Sequence, residues 1–318
     1  MSGSDKVLII LNPVAGHGKS KRMMPEVIKR LRGNGVDFEV VETAGPGHAV
    51  EIAAAATGNG FGVIAAMGGD GTLSEVLHGL LYNEEEPAVP RFPRLKVAVI
   101  PSGTGNDFLG GSDLLTGWEA AVDSLANPVV RQVDVLRLTD SSGLCRYVAN
   151  SVGIGYDAYV VKRMGELGTR KIGKLSYMVE ALRGLLYFNP VAAEVLTGDA
   201  PAKSYQELWL FAVTNSEKFG GGMRVCPGAK IDDGILNSAF LYGVPRRSLV
   251  GLIFLVRAGK HVGKPGVVMQ TGTRVTINVP EGFPCHVDGD TVDVKYPVTI
   301  DILPGLLPLV AGAAPQRC

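Results

Sequence analysis

Along the first third of the chain, short unbroken apolar runs alternate with segments of helical period. Val7–Leu11 is apolar throughout and ends in a Gly-rich turn, as a parallel strand buried on both faces should be. Met24, Val27, Ile28 and Leu31 then recur at i, i+3, i+4 and i+7, the spacing of an amphipathic helix. A strand over 38–41 follows, then a helix marked by Ala49, Ile52, Ala53 and Ala56, and a strand over 63–67. Leu73, Val76, Leu77 and Leu80 mark a third helix, and residues 96–100 a fourth strand. Such alternation predicts an α/β domain with a parallel, doubly wound sheet.

Past Asn127-Pro128 the texture changes. Strands are predicted from Val133 to Leu138 and over 146–151, 207–214, 236–242, 274–279 and 298–302, mostly without crossover helices and with Gly or Pro at many joints. That pattern predicts a mainly antiparallel, β-rich second domain, interrupted by helices near 171–186 and 246–258. The expected division is 1–127 and 128–302, with the tail 303–318 able to pack back on the first domain.

Composition narrows the classes. At 318 residues, with 46% hydrophobic and 19% charged residues, the chain is globular and long enough for two cores. Its 31 basic residues balance 31 acidic ones, so no nucleic-acid partner is expected. Cys145, Cys226, Cys285 and Cys318 form no CxxC pair and have no His at metal-ligand spacing, which reads as reduced thiols of a cytoplasmic protein. The opening residues lack a basic region and their apolar run stops at Asn12-Pro13, which predicts a first strand rather than a signal peptide. The strongest apolar helix, 249–256, is far shorter than the ~20 residues of a membrane span and is expected in the core, with a lipid-facing helix as the alternative.

Ligands on open α/β sheets bind outside the carboxyl ends of the strands, where this chain places three loops of small and polar residues. The first runs Asn12-Pro13-Val14-Ala15-Gly16-His17-Gly18-Lys19-Ser20. Its glycines let backbone N–H groups approach an anion, though the same residues serve equally as a tight strand–helix turn, and P-loop spacing is absent. The second, Gly68-Gly69-Asp70-Gly71-Thr72, carries three glycines that a plain connector seldom has. Asp70 there could orient Mg²⁺ or an attacking hydroxyl, and Thr72 could cap the helix or bind a phosphate. The third, Pro101-Ser102-Gly103-Thr104-Gly105-Asn106-Asp107-Phe108, repeats the phosphate-cradling pattern. Together the three describe a nucleoside triphosphate site, and none is a dinucleotide fingerprint. Two acidic motifs follow in the second domain, Asp232-Asp233-Gly234 and Asp288-Gly289-Asp290. Carboxylates bind hard cations and accept protons from alcohols, but each Asp-Gly alone is also an ordinary hairpin turn.

The set of motifs NPVAG, GGDGT, PSGTGNDF, PGAKIDDGIL and VDGD, in that order over nearly the whole chain, resembles the bacterial diacylglycerol kinase and lipid kinase family, which includes sphingosine and ceramide kinases. The resemblance implies an ATP-dependent kinase of a diacylglycerol-like lipid in phospholipid metabolism, with ATP in a cleft between the domains. It places ATP on Asn12, Pro13, Val14, Ala15, Gly16, Thr43, Gly68, Gly69, Asp70, Gly71, Thr72, Leu73, Ser74 and Thr104. It places Mg²⁺ on Asp233, with the carbonyls of Lys230 and Ile235 as fellow ligands. Asp290 matches the proton acceptor, with Asp288 in the same network, and Asp70 joins them as catalytic. Ser74 stands where the family commonly has Asn, and Asp290 where it usually has Glu, which leaves the roles of Asp288 and Asp290 to be divided. The implied protein is cytoplasmic, peripherally associated with the membrane that holds its lipid, and homodimerisation stays open. Lys162, Arg163, Arg170, Lys171 and Lys174 could meet anionic headgroups or form a solvated helix face. The rival readings are an NAD kinase, which shares GGDGT, and a non-catalytic ATP- or lipid-binding regulator.

Overall fold

A computed structural model of the chain describes residues 6–91, 95–114, 116–166 and 174–311, of which 174–178 by backbone alone. The chain divides into two compact units, Met1–Asp134 with Gly305–Cys318, and Val135–Pro304.

The first unit runs β1 (Val7–Leu11), α1 (Ala15–Gly33), β2 (Phe38–Glu42), α2 (His48–Ala56), β3 (Val63–Gly68), α3 (Asp70–Leu81), β4 (Lys96–Pro101), α4 (Asp107–Gly110) and α5 (Trp118–Ser124). The strands are parallel in the order β2-β1-β3-β4, with Ile9 beside Val40 on one side and Ala65 on the other. This is the doubly wound sheet that the alternating pattern predicts. Val27 and Leu31 of α1 and Val122 of α5 close a core with Ile9, Ala65 and Ile100. Helices α2 and α3 pack together so closely that a Cβ on Gly79 would stand 2.2 Å from the Val50 carbonyl oxygen, which explains a glycine inside a helix. Leu309, late in the chain, pairs in parallel with Val97 of β4, and the Gly305 N–H donates to Asp134 at 2.7 Å.

The second unit takes in β5 (Val130–Asp140) from Val135, then β6 (Cys145–Val148), β7 (Ser151–Gly155), α6 (Tyr156–Glu166), α7 (Lys174–Tyr187), β8 (Val191–Thr197) and β9 (Lys203–Thr214). It continues through β10 (Lys218–Phe219), β11 (Met223–Arg224), β12 (Leu236–Tyr242), α8 (Arg246–Arg257), β13 (Val267–Gly272), β14 (Arg274–Asn278), β15 (Cys285–Val287), β16 (Asp290–Val292) and the start of β17 (Val298–Val310). Strand β9 is the pivot. Its first half pairs with β8, its second half with β7 on one edge and β12 on the other, and all of these pairings are antiparallel. Leu136, Val152, Phe211, Phe240, Ile277 and Ile300 lie in the core beneath them.

Three expectations need correction. The strand expected over 146–151 is two strands with a break at Ala149 and Asn150, whose N–H groups turn inward to the Asp288 carboxylate. Strands β8 and β13 escaped notice: β8 is rich in alanine, and β13 is half-exposed along most of its length, so it shows no apolar alternation. Helix α8 is not simply core, because Leu249 and Leu252 are buried while Val250 and Phe254 face outward. Of the basic stretch, Arg170 and Lys171 lie outside the described residues, as does the start of the helix expected from 171. Among the described residues no helix is long and apolar enough to cross a membrane.

Candidate active site

In the first unit the three Gly-rich loops follow β1, β3 and β4 and touch one another through backbone. A Cβ on Gly16 would stand 2.2 Å from the Ser102 carbonyl oxygen, and one on Gly103 would stand 2.4 Å from Gly69 Cα. Gly16 also has a positive φ of 57°, a conformation that favours glycine. His17 and Gly18 share that left-handed conformation, so α1 becomes regular only from Lys19. Side chains tie the loops further. Asn12 Nδ2 donates to Thr72 Oγ1 at 3.1 Å, and Asn12 Oδ1 accepts the Val14 N–H at 3.2 Å. Ser20 and Ser102 share a buried hydroxyl–hydroxyl bond of 2.6 Å.

Asp70 is the bracket of this assembly. Its Oδ2 accepts the Asp107 N–H at 2.8 Å and its Oδ1 accepts the Phe108 N–H at 3.1 Å, so the second loop holds the third by the start of α4. That positional duty was not foreseen in the sequence, which suggested a metal or hydroxyl partner. Pro13 is half-buried, Val14 exposed and Ala15 half-buried, so their backbone borders solvent. Gly71 and Ser74 lie on the half-exposed start of α3, with Leu73 buried beneath, and Thr104 is exposed on the third loop. Thr43 is buried just past β2, its N–H bonded to the Leu11 carbonyl. Asn106 has a positive φ and a buried Oδ1 with no hydrogen-bond partner, while its Nδ2 donates to Gly103 O at 3.1 Å. A cradle that side chains would fill, beside an unsatisfied buried polar atom, fits a bound polyphosphate.

In the second unit the Asp288–Gly289 turn separates β15 from β16. Asp288 is buried with φ 47°, and its carboxylate accepts three backbone N–H groups: Ala149 at 3.0 Å, Asn150 at 3.0 Å and Ser151 at 2.8 Å. Asp290, two residues on, is exposed. Below the turn His286 is buried; its Nδ1 accepts the Gly289 N–H at 3.3 Å, so Nε2 donates to the buried Asp157 at 3.0 Å. The dyad occupies the space a Gly153 side chain would need, since a Cβ there would lie 1.9 Å from Asp157 Oδ2. Asn150 adds a floor: its Oδ1 accepts the Ser216 hydroxyl at 2.6 Å and its Nδ2 donates to Lys218 O at 2.9 Å. Asp157, His286, Asn150 and Ser216 carried no signal in the sequence, because their partners lie up to 129 residues away. Positive φ was a usable hint only in retrospect. Of four described non-glycine residues with it, His17, Asn106 and Asp288 stand in candidate loops.

Lys230, Asp233 and Ile235 precede β12. Asp233 is exposed and its Oδ1 accepts the Ile235 N–H at 3.0 Å, while the Ile235 carbonyl accepts Asn237 Nδ2 at 3.1 Å. A water-accessible carboxylate with backbone carbonyls is the all-oxygen donor set that Mg²⁺ takes. Among the described residues no cluster of three or more His, Cys, Asp and Glu stands ready for a metal.

An apolar cavity lies in the same unit between the sheet and helices α7 and α8, lined by Leu185, Trp209, Phe240, Leu252 and Val256 among others. His261 also borders it, with Nε2 donating to Val225 O at 3.0 Å, Nδ1 without a partner, and burial holding its pKa below the ordinary histidine value. Cys145, Cys226 and Cys285 are buried free thiols, and burial pushes Cys226 up to about 12, so none is a nucleophile at neutral pH.

Comparison with known proteins matches this arrangement. Residues 6–138 match the diacylglycerol kinase catalytic domain, and residues 150–311 match the YegS C-terminal NAD kinase beta sandwich-like domain. The chain is 28% identical to a diacylglycerol kinase of Mycobacterium tuberculosis over 303 residues, covering 95% of this chain and 94% of the relative. It is 29% identical to a probable lipid kinase YegS-like protein of Xanthomonas oryzae, covering 82% of each. Its fold is similar to that of a solved diacylglycerol kinase from Bacillus anthracis, with a TM-score of 0.70, 21% identity and 99% of both chains covered. The chain belongs to the bacterial diacylglycerol kinase and lipid kinase family.

Proposed function

We propose that the chain transfers the γ-phosphoryl group of ATP to the hydroxyl of a diacylglycerol-like lipid. The observation that carries the reading is the cradle of Gly16, Gly69 and Gly103, closed by Asp70, on a chain of this family. Phosphoryl transfer is mainly positioning and charge neutralisation, which rigid loops of backbone N–H groups supply. ATP rests on Asn12, Pro13, Val14, Ala15, Gly16, Thr43, Gly68, Gly69, Asp70, Gly71, Thr72, Leu73, Ser74 and Thr104, with Asn106 as a further polar contact. Asp70 serves by holding the loops in register.

Asp290 accepts the proton of the attacking hydroxyl. Its exposure suits that task, whereas the Asp288 carboxylate is occupied by three N–H donors. Asp233 with the carbonyls of Lys230 and Ile235 would hold Mg²⁺, which supplies charge neutralisation when bound. The apolar cavity behind α7 and α8 suits an acyl chain, and the lipid is drawn from a cytoplasmic membrane face by a peripherally bound protein. The test is transfer of label from γ-radiolabelled ATP to a panel of diacylglycerol, monoacylglycerol, sphingoid base, phosphatidylglycerol and NAD. Label in diacylglycerol supports the reading. Label in NAD alone, or in none, contradicts it.

A further inference from the structure

Helices α7 and α8 are apolar on both sides. Their inner faces line the apolar cavity through Ala181 and Leu185 on α7 and Leu249, Leu252 and Val256 on α8. Their outer faces carry a second set. Val179, Leu182 and Leu186 recur at i, i+3 and i+7 on α7, with Leu186 73% and the adjoining Tyr187 69% exposed. Val250 and Phe254 stand one turn apart on α8, with Phe254 58% exposed. Large apolar side chains on the outer face of a helix whose inner face already fills a core mark a surface for a partner or a membrane. They are held as one surface: Leu185 and Phe188 pack with Leu249 and Leu252, and Arg246 donates to the Leu185 carbonyl and, at 2.8 Å, to Asn189.

The exposed charge on the described residues of these two helices is basic. Residues 246–264 contain five basic and no acidic side chains, and Arg247 and Arg257 bracket Val250 and Phe254 on the exposed face of α8. On α7 the described residues hold a single acid, Glu180, which is buried and pairs with Arg163 and Arg183. Two copies of so cationic a face would repel each other, whereas an anionic bilayer attracts it and accepts its apolar ridge. We infer that the outer faces of α7 and α8 form a membrane-docking surface that lies on an anionic lipid bilayer, with Leu186, Tyr187 and Phe254 inserted and Arg247 and Arg257 at the headgroups. The inference deepens the lipid-kinase reading by naming the surface that meets the substrate's bilayer. Its test needs no nucleotide, so the two can fail separately.

The full chain is floated with vesicles of phosphatidylcholine alone and of phosphatidylcholine mixed with phosphatidylglycerol. Binding is expected only to the mixed vesicles, weakening as salt rises. Leu186→Ser and Phe254→Ser should each weaken it about tenfold, and the pair roughly a hundredfold. Arg247→Ala with Arg257→Ala should weaken it about tenfold or more and flatten the salt dependence. Melting temperature and transfer to detergent-dispersed lipid should stay at wild-type values in all of these, because the altered side chains are exposed. Wild-type vesicle binding by the double serine variant, or no binding by the wild type, overturns the inference. So does a loss of self-association in the variants with vesicle binding intact, which would give the surface to a second copy of the chain.

Discussion

Asp70 and Asp288 perform the same task in the two units, in different settings. Each presents its carboxylate to the backbone N–H groups of another segment and so fixes a loop that carries the proposed chemistry. Asp70 is half-exposed and reaches two donors 37 and 38 residues along the chain, in a unit where every candidate loop follows a parallel strand. Asp288 is buried and holds three donors 137 to 139 residues away. The two bonds to Asp70 are part-buried, and the three to Asp288 are fully buried. The proposed nucleotide site is thus a set of close backbone approaches, and the proposed acceptor site a buried polar network beside the exposed Asp290.

The sharpest separation of the two is loss of each acid. Asp288→Ala leaves three buried N–H groups without partners, and at ~1 kcal/mol or more apiece the expected loss is at least ~3 kcal/mol. Thermal unfolding should then fall by roughly 6–12 °C, while Asp70→Ala should lower it by much less and raise the KM for ATP. Equal drops would erase the distinction. Next, Gly16→Ala forces a Cβ onto the Ser102 carbonyl in a left-handed backbone, a strain of about 1–3 kcal/mol. It should appear as weaker ATP binding in calorimetry, with transfer once bound less affected. An unchanged affinity would mean that the loops do not hold the nucleotide.

A smaller effect is expected from His286→Gln, which breaks the bond to Asp157 but keeps a polar side chain, for roughly 1–2 kcal/mol. The turnover number should fall more than the KM for either substrate changes, because the turn bearing Asp290 loses its support. If Asp157→Asn, which keeps an acceptor oxygen, behaves like His286→Gln, the dyad does not act through that bond. The smallest effect is one of pH. Burial lowers the His261 pKa, so the folded chain binds its proton less readily than the unfolded chain. The stability this contributes is present above the ordinary histidine value near 6.5 and is lost as pH falls from there through the lowered one. His261→Gln should flatten the melting temperature across that window.

How far the sequence could be read follows from the same contrast. In the first unit the signals are local: an apolar run, a glycine cluster and a helical repeat specify β1, β3 and β4 and the loops after them. Gly16, Asp70 and Thr104 could be marked because the loop residues announce their own backbone requirements. The duty of Asp70 could not, since it depends on which N–H groups the third loop brings near. In the second unit β9, β12 and β14 were legible as apolar runs between turns, but β8, β13 and the pairing order were not. Asp157 looks like any acid at a helix start, and only the fold sets it under His286. A lipid-facing α8 could be named beside a buried one but not chosen over it, because an apolar run alone does not say which of its residues face outward.

The most direct test of the division between the two acids is a single-turnover measurement of phosphoryl transfer with ATP bound, comparing wild type, Asp290→Ala and Asp290→Glu. If Asp290 is the proton acceptor above a turn fixed by Asp288, Asp290→Ala should slow the chemical step by about 10²–10⁴-fold with melting temperature and ATP affinity unchanged. Asp290→Glu should restore most of the rate. Transfer by Asp290→Ala at the wild-type rate would contradict the assignment.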